Sequence, residues 1–288
     1  MEHTSNQSIH ISPGQPIIEA RGLVKRYGSL TAVDGVDLTV YSGEIFGILG
    51  PNGAGKTTTL EMIEGLRPPD AGTIMVAGYD TRTQTEEVRR AIGVQLQTTA
   101  LFDYLTASEL IKLFADLYGV DSSPARIDHL LGMVGLLEKR GSAANQLSGG
   151  QQQRLSIALG LVNDPVVIFL DEPTSGVDPI SRRKFWELIY QLSAGGVTVF
   201  VTTHYMDEAD ILSDRIALID HGRIITTGTP DELKNGLGKD LITIMTTDNQ
   251  KAESLIRSLP GIDQIQQHTN QITIYAGIDG AEILPDII

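Results

Sequence analysis

Residues 50–58 read GPNGAGKTT and constrain the fold more than any other stretch, because they match the pattern G-x-x-x-x-G-K-[ST]. An apolar run, residues 45–49, precedes them, and a helical pattern over residues 59–66 follows. This order predicts a strand, a phosphate-binding loop and a helix whose dipole and first N–H groups face an anion. The alternative is a glycine-rich turn with an incidental lysine, and the flanking strand and helix argue against it.

The side chains of this loop have separate predicted roles. Lys56 reaches the β- and γ-phosphates of a nucleotide, and the hydroxyl of Thr57 offers a ligand to Mg²⁺. The glycines supply backbone positions that a side chain would block or strain. The predicted phosphate-binding set is Gly50, Asn52, Gly53, Ala54, Gly55, Lys56, Thr57 and Thr58.

Composition limits the partners. The 288 residues contain 22 Lys and Arg against 36 Asp and Glu, and the net charge of −14 disfavours nucleic acid and anionic lipid as direct partners. No apolar run approaches the roughly 20 residues of a membrane-spanning helix, so we expect no direct membrane insertion. The absence of cysteine excludes disulfides and favours a cytoplasmic location. Residues 1–15 are mostly polar and predict a flexible N-terminal tail rather than a secretory signal.

Two adjacent carboxylates follow a second predicted strand. Residues 166–170 form an unbroken apolar run that ends in Asp171 and Glu172. Because ligands of open α/β sheets bind at the carboxyl ends of strands, both side chains face the crevice where Lys56 holds phosphate. We expect Asp171 to help hold Mg²⁺ through its water shell, and Glu172 to accept a proton from the attacking water or to orient it. A purely structural pair is the alternative.

A histidine follows a third predicted strand. Residues 197–202 predict another buried strand and end in Thr203 and His204, so an imidazole lies at the same sheet edge as the two carboxylates. The other five histidines are scattered, and their spacing predicts no zinc site.

Three further features leave two interpretations open on chemistry alone. Tyr27, on a predicted turn, is either an ordinary packing tyrosine or a ring that stacks on a nucleotide base. Gln95 and Gln97 are either solvated or in reach of a phosphate oxygen or a metal-bound water. Ser148 and the two glycines after it are either a capped helix start or a second anion site, since both use the same N–H groups.

The remaining patterns predict the domain organisation. Residues 16–235 form a nucleotide-binding domain, within which a helical pattern marks an insertion over about residues 98–160. Residues 236–239 are a glycine-rich linker. Residues 240–288 read strand, helix, strand, strand and predict a small α+β domain with no catalytic constellation.

Residues 50–57, LSGGQ at 147–151, residues 166–172 and His204, in this order, resemble the ATP-binding subunits of ABC transporters over residues 17–235. The spacing and the C-terminal stretch resemble the bacterial drug-efflux type. The resemblance implies an α/β fold: a P-loop NTPase of ABC type, in which a mixed sheet core carries an antiparallel β subdomain and a helical insertion, plus a small α+β C-terminal domain.

The resemblance also assigns roles within one subunit. It implies that Tyr27 stacks on the adenine of ATP, that Gln97 rather than Gln95 contacts Mg²⁺ or the attacking water, and that His204 grips the γ-phosphate. The implied catalytic set is Glu172, His204, Gln97 and Lys56, and the implied metal set is Thr57, Gln97 and Asp171.

Further residues are implied to act on the ATP of a second subunit. The resemblance implies that Ser148 and Gly150 bind its γ-phosphate and that Asp178 crosses the interface. The implied stretch of contact comprises Ser148, Gly149, Gly150 and Gln151. The subunits then pair around two ATP molecules, as a homodimer or as a heterodimer with a paralogue.

The function implied is an ATPase that uses Mg²⁺ and drives a separate membrane permease at the cytoplasmic face of the plasma membrane, exporting a drug-like, lipid or glycoconjugate substrate. The alternative is a soluble ABC-type ATPase of DNA maintenance or translation. Against it, the stretch between Thr57 and Ser148 is too short for a long coiled coil, and a single phosphate loop is unlike the tandem translation factors. A catalytically inactive regulator is excluded because every catalytic position is filled.

A short apolar segment predicts the permease contact. Two apolar-aromatic pairs, Leu101 with Phe102 and Tyr104 with Leu105, flank Asp103 in an otherwise polar stretch. This pattern is typical of a small interface anchor. Core packing within the helical insertion is the alternative.

Overall fold

The computed structural model describes residues 12, 14–95, 102–236, 240–246, 249–257, 259–268 and 271–276. The chain divides into two units, Met1–Pro230 and Asp231–Ile288. Gln97 and Leu101 lie outside the described residues.

The first unit contains ten strands and seven helices among the described residues, and an eighth helix begins at its end. The strands are β1 (Pro16–Tyr27), β2 (Leu30–Tyr41), β3 (Ile45–Leu49), β4 (Ala71–Val76), β5 (Tyr79–Asp80), β6 (Ile92–Gln95), β7 (Val167–Asp171), β8 (Thr198–Thr203), β9 (Arg215–Asp220) and β10 (Arg223–Gly228). The helices are α1 (Lys56–Ile63), α2 (Thr85–Ala91), α3 (Ala107–Tyr118), α4 (Pro124–Met133), α5 (Gly149–Gly160), α6 (Pro179–Ala194), α7 (Met206–Leu212) and α8 (Pro230–Gly236).

A six-stranded sheet in the order β10-β9-β3-β8-β7-β6 forms the centre of this unit. Only β10 runs antiparallel to its neighbour, because it returns from β9 through a tight hairpin. Alternate residues of β7 enter different hydrophobic clusters: Val167 and Phe169 pack on one face, and Ile168 and Leu170 pack on the other. Burial on both faces explains why these strands are unbroken apolar runs. The predicted α/β class with a mixed sheet is confirmed.

A second sheet, in the order β2-β1-β4-β5, is antiparallel. The predicted position of Tyr27 on a turn is wrong, because this residue still pairs with Leu30 at the end of β1. Register shifts after Ala20 and after Lys25 carry the pairing through a polar stretch whose pattern is not that of a strand. Tyr27 is therefore held by a strand next to the phosphate-binding loop.

Between β6 and β7 the chain is helical. Thr106 and Glu109 form a capping box at the start of α3, and Ser123 caps α4 with Pro124 at its first position. Helix α3 ends at Gly119 with a positive φ of 68°. These signals explain why the helices start and stop where the sequence pattern predicts.

The second unit contains β11 (Asp240–Met245), α9 (Asn249–Ile256), β12 (Ile262–His268) and β13 (Gln271–Ala276). The strands form an antiparallel sheet in the order β11-β13-β12. Ile256, Ile272 and Ile274 form its core. Among all residues that the structure describes, no helix combines the length and apolar character needed to cross a membrane.

Candidate active site

The carboxyl ends of three adjacent parallel strands define the site. Strand β8 lies between β3 and β7, and Thr203 pairs with Leu49 while Thr202 pairs with Asp171. The phosphate-binding loop follows β3, Glu172 follows β7 and His204 follows β8. The sheet therefore brings together groups that lie far apart in sequence.

Glycine is required at two positions of the loop. Gly55 has a φ of 103°, and a Cβ there would lie 2.5 Å from the carbonyl oxygen of Ala32. A Cβ at Gly50 would lie 2.2 Å from the carbonyl oxygen of Ile219. Gly55 is also the N-cap of α1 and offers no side chain to its first turn. The first N–H groups of α1 are thus left for an anionic ligand.

Lys56 is 4% exposed, and its ammonium group is held by oxygen atoms. The Nζ donates to the carbonyl oxygens of Gly50 at 2.9 Å and Pro51 at 3.1 Å. It also lies 3.1 Å from Glu172 Oε1. This buried cation is anchored beside the loop that surrounds it, in the position predicted for contact with phosphate.

Asp171 and Thr57 form an oxygen-only cluster. The Thr57 hydroxyl donates to Asp171 Oδ2 at 3.0 Å, and the Thr202 hydroxyl donates to Asp171 Oδ1. Mg²⁺ prefers hard oxygen ligands and is bound in proteins through one or two carboxylates together with waters and substrate phosphates. The hydroxyl and carboxylate of this cluster fit such an ion.

Glu172 has a strained backbone, and its carboxylate lies between a lysine and a histidine. Its φ of 45° lies in the left-handed region, and its N–H donates to the carbonyl and hydroxyl oxygens of Thr202, both at 3.1 Å. While Oε1 contacts Lys56, Oε2 lies 3.1 Å from His204 Nδ1, close enough for an ion pair but outside hydrogen-bond geometry. Backbone strain of this kind is typical of functional positions. The carboxylate is placed to accept a proton beside the lysine.

Tyr27 borders the same cleft. The cleft has a volume of about 450 Å³ and is lined by Tyr27, Leu30, Ala32, Asn52, Gly53, Gly55, Lys56, Thr57, Thr58 and Glu172. The tyrosine ring is exposed rather than packed in a hydrophobic cluster, and the guanidinium of Arg67 lies 5.4 Å from its centroid. An aromatic surface and the phosphate-binding loop thus share one opening.

Ser148 and Asp178 are not among the residues that line this cleft. Ser148 caps α5 in a capping box: its N–H donates to Gln151 Oε1 at 2.8 Å, and its hydroxyl accepts from the Gln151 N–H at 3.4 Å. Ser148 and Gly149 are exposed, and Asp178 accepts from the Ser181 N–H at 3.0 Å at the start of α6. A single chain therefore offers these groups on a surface apart from Lys56.

The sequence analysis missed Thr202 and Glu208. Thr202 holds both Asp171 and the backbone of Glu172, and Glu208 binds Thr203. The signal for Thr202 was present, because consecutive threonines at the end of a buried apolar strand place hydroxyl groups at the ligand-binding edge. Gln97, predicted as a metal and water contact, lies outside the described residues.

Comparisons with known proteins agree with this geometry. A family profile described as ABC transporter matches residues 33–175. The chain is 42% identical over 267 residues to the daunorubicin/doxorubicin resistance ATP-binding protein DrrA of Streptomyces peucetius, covering 91% of this chain and 81% of that protein. It is 38% identical over 262 residues to the linearmycin resistance ATP-binding protein LnrL of Bacillus subtilis, covering 90% and 84%.

A solved structure shows the same fold. The dimeric bacterial ABC transporter cassette MJ0796 superposes with a TM-score of 0.67 at 30% identity, covering 74% of this chain and 98% of that chain. The matches to DrrA and LnrL cover enough of this chain to include Lys56, Asp171, Glu172 and His204. The chain therefore belongs to the ABC transporter family, as an ATP-binding subunit with ATPase activity.

Proposed function

We propose that this chain hydrolyses ATP to power export of a drug-like, lipid or glycoconjugate substrate by a separate permease, at the cytoplasmic face of the plasma membrane. The observation that carries the proposal is the arrangement of Lys56, Glu172 and His204, with the carboxylate 3.1 Å from each cation or imidazole nitrogen. The names of DrrA and LnrL, which refer to drug resistance, support the class of substrate.

Each group of the site has a separate role in ATP binding or hydrolysis. Thr57 and Asp171 would hold Mg²⁺, which would supply positive charge to offset the negative charge of the transferred phosphoryl group. Lys56 contacts the β- and γ-phosphates, and Glu172 accepts a proton from the attacking water. His204, at the neighbouring strand end, donates to the γ-phosphate. Tyr27 presents its ring to the adenine.

Two subunits complete each site in this proposal. Because Ser148 lies on an exposed helix start apart from the Lys56 cleft, it contacts the γ-phosphate held by a second subunit. Two-fold symmetry then gives two equivalent composite sites, in a homodimer or in a heterodimer with a paralogue. The dimeric state of the MJ0796 cassette supports this arrangement.

Exposed apolar side chains supply surfaces for the permease. Phe102 is 58% exposed and Tyr104 is 89% exposed, which favours an interface anchor over core packing. A separate groove of about 490 Å³ is lined in part by the exposed Leu66, Leu117 and Tyr118. Both surfaces support docking of a partner protein.

Transport in membrane vesicles tests the proposed function. Inside-out vesicles containing the permease encoded beside this subunit should accumulate a fluorescent amphipathic drug with ATP and the wild-type chain, and not with Glu172→Gln. Phe102→Ala should leave the ATPase rate of the isolated subunit unchanged and reduce uptake. Ile225→Ala, a similarly exposed apolar residue on β10, is the control. Equal uptake with wild type and Glu172→Gln would exclude ATP-driven export.

A further inference from the structure

We propose that Glu208 is a positioning residue of the ATPase, which ties the strand end that carries His204 to the segment that follows Glu172. Glu208 touches neither group, and the proposal rests on the roles proposed for them above. Its effect is to fix the separation between the proton acceptor and the group that contacts the γ-phosphate.

The Glu208 carboxylate joins three elements. It lies on α7, is 1% exposed, and accepts from the Thr174 hydroxyl at 2.7 Å and the Trp186 indole N–H at 3.3 Å through Oε1. Its Oε2 accepts from the Thr203 hydroxyl at 2.6 Å. Thr174 follows β7, Trp186 lies on α6, and Thr203 ends β8. One side chain thus holds three segments that converge at the sheet edge.

A carboxylate is well suited to this position. An apolar residue of the same size would leave two buried hydroxyl donors and the partly buried indole N–H without an acceptor, and each such loss is unfavourable. Burial of a carboxylate without hydrogen-bond partners is also unfavourable, but at this position three donors hydrogen-bond to it. The donors and the acceptor therefore require each other, and the network has one arrangement in which all are satisfied.

The network extends to both sides of His204. The hydroxyl of Thr203 donates to Glu208 and accepts the N–H of Tyr205 at 3.0 Å, so the residues before and after the imidazole share one bonded atom. Loss of the Glu208 contact would release the turn on which His204 lies.

The network also extends to the segment after Glu172. Thr174, which donates to Glu208, lies two residues after Glu172. The backbone carbonyl oxygen of Glu172 accepts the N–H of Ser175 at 3.1 Å. On the other side, the side-chain amide of Gln153 on α5 donates to the carbonyl oxygen of Pro173 at 2.6 Å. Glu208 therefore holds the far end of a loop whose near end carries the strained Glu172 backbone.

The first test is the steady-state ATPase kinetics of Glu208→Gln in the full chain. The amide keeps the side-chain volume but replaces one acceptor by a donor. The hydrogen-bond network is therefore disturbed while the space remains filled. We expect kcat to fall roughly 10- to 100-fold, the effect of displacing a reacting group by about 1 Å. The KM for ATP should stay within about twofold, because the loop and Lys56 that bind the phosphates are untouched.

Thr198→Val is the matched control. Thr198 is buried at the opposite end of β8, where its hydroxyl accepts the Gly43 N–H at 2.9 Å. This variant also loses a buried hydrogen bond of the same strand, so it should lower Tm while leaving kcat within about twofold. If it lowers kcat as much as Glu208→Gln does for the same loss of Tm, Glu208 has only a structural role.

Thr174→Val supplies a second, milder variant. It removes one donor and keeps the Glu208 to Thr203 bond, so kcat should fall less than in Glu208→Gln, again at constant KM. The double variant should be no slower than Glu208→Gln alone, because both changes act through the same contact. A folded Glu208→Gln or Thr174→Val with wild-type kcat overturns the proposal. Retained turnover in Glu172→Gln would instead overturn the roles on which it rests.

Discussion

The Lys56 cleft and the start of α5 are both anion sites by their chemistry, yet they differ in how complete they are. In the cleft, the buried Lys56 already contacts the carboxylate of Glu172, and Gly50 and Gly55 of the loop admit no side chain. At the start of α5, Ser148 is exposed, and within the described part of the chain its side chain hydrogen-bonds to its own helix cap. The difference supports the proposal that the cleft carries out the reaction and that the start of α5 acts on the ATP of a second subunit.

The largest expected effect is on the rate at the cleft. Glu172→Gln keeps the volume but cannot accept the proton of water, so turnover should fall about 10²- to 10⁴-fold, which corresponds to about 2.7 to 5.4 kcal/mol of barrier. ATP binding should persist. Glu138→Gln, which changes an exposed carboxylate in the short turn after α4, is the control for a loss of charge alone. A Glu172→Gln rate above half of the wild-type value would remove the catalytic assignment.

The second effect is on the free energy of unfolding, and it arises from the buried carboxyl of Glu64. Burial, together with the negative charges of Asp171 and Glu61, raises the pKa of Glu64 from 4.5 to about 8. The folded protein therefore holds a proton that the unfolded chain releases, and stability falls as pH rises from 4.5 to about 8. A difference of one in pKa between the folded and unfolded states corresponds to about 1.4 kcal/mol in the free energy of unfolding.

Glu64→Gln should make the melting temperature depend less on pH between 5 and 8, because the amide has no proton to lose. The matched control is Glu86→Gln, whose exposed carboxylate pairs with Arg89 at 3.3 Å and is not among the charges that raise the Glu64 pKa, so it should leave the slope unchanged. Thermal melts followed by circular dichroism measure both. The same slope in Glu64→Gln and wild type would show that Glu64 is ionised throughout this range.

The third effect distinguishes the two regions by ATP affinity. Lys56→Ala removes a charged hydrogen-bond donor to the phosphates and should weaken binding of ATP by about 1.5 to 3 kcal/mol. Ser148→Arg should leave ATP binding to the single subunit unchanged, because Ser148 does not line the cleft. Isothermal titration calorimetry at low protein concentration compares the two. Equal weakening would mean that the two regions share one site within a single chain.

The smallest effect separates capping from phosphate binding at the start of α5. Ser148→Ala removes the cap and should lower the free energy of unfolding by about 1 kcal/mol. Ser148→Asp keeps a capping oxygen and should preserve stability, but its negative charge should repel a γ-phosphate and reduce ATPase activity at high protein concentration. Chemical denaturation and ATPase assays measure the two properties. An Asp variant with full activity would leave Ser148 with capping as its only role.

Sequence predicted the centre of the fold well because buried parallel strands must be apolar on both faces. The runs that became β3, β7 and β8 could be placed, together with the polar groups at their ends, from that single requirement. Tyr27 was misplaced because register shifts in the pairing of β1 with β2 extend β1 through polar residues. No local sequence pattern indicated a role for Glu208, because its partners Thr174 and Trp186 lie 34 and 22 residues away along the chain. At Ser148, a cap and a phosphate site use the same N–H groups, so the pattern alone could not separate them.

The most direct test of the account is the oligomeric state of Glu172→Gln, which binds ATP without the step that separates the subunits. In size-exclusion chromatography with light scattering, this variant should elute as a dimer with Mg-ATP and as a monomer with Mg-ADP, which lacks the bridging γ-phosphate. Addition of Ser148→Arg should abolish the dimer. A dimer that forms equally well with ADP, or that survives Ser148→Arg, would contradict the claim that ATP joins the Lys56 cleft of one subunit to the α5 start of another.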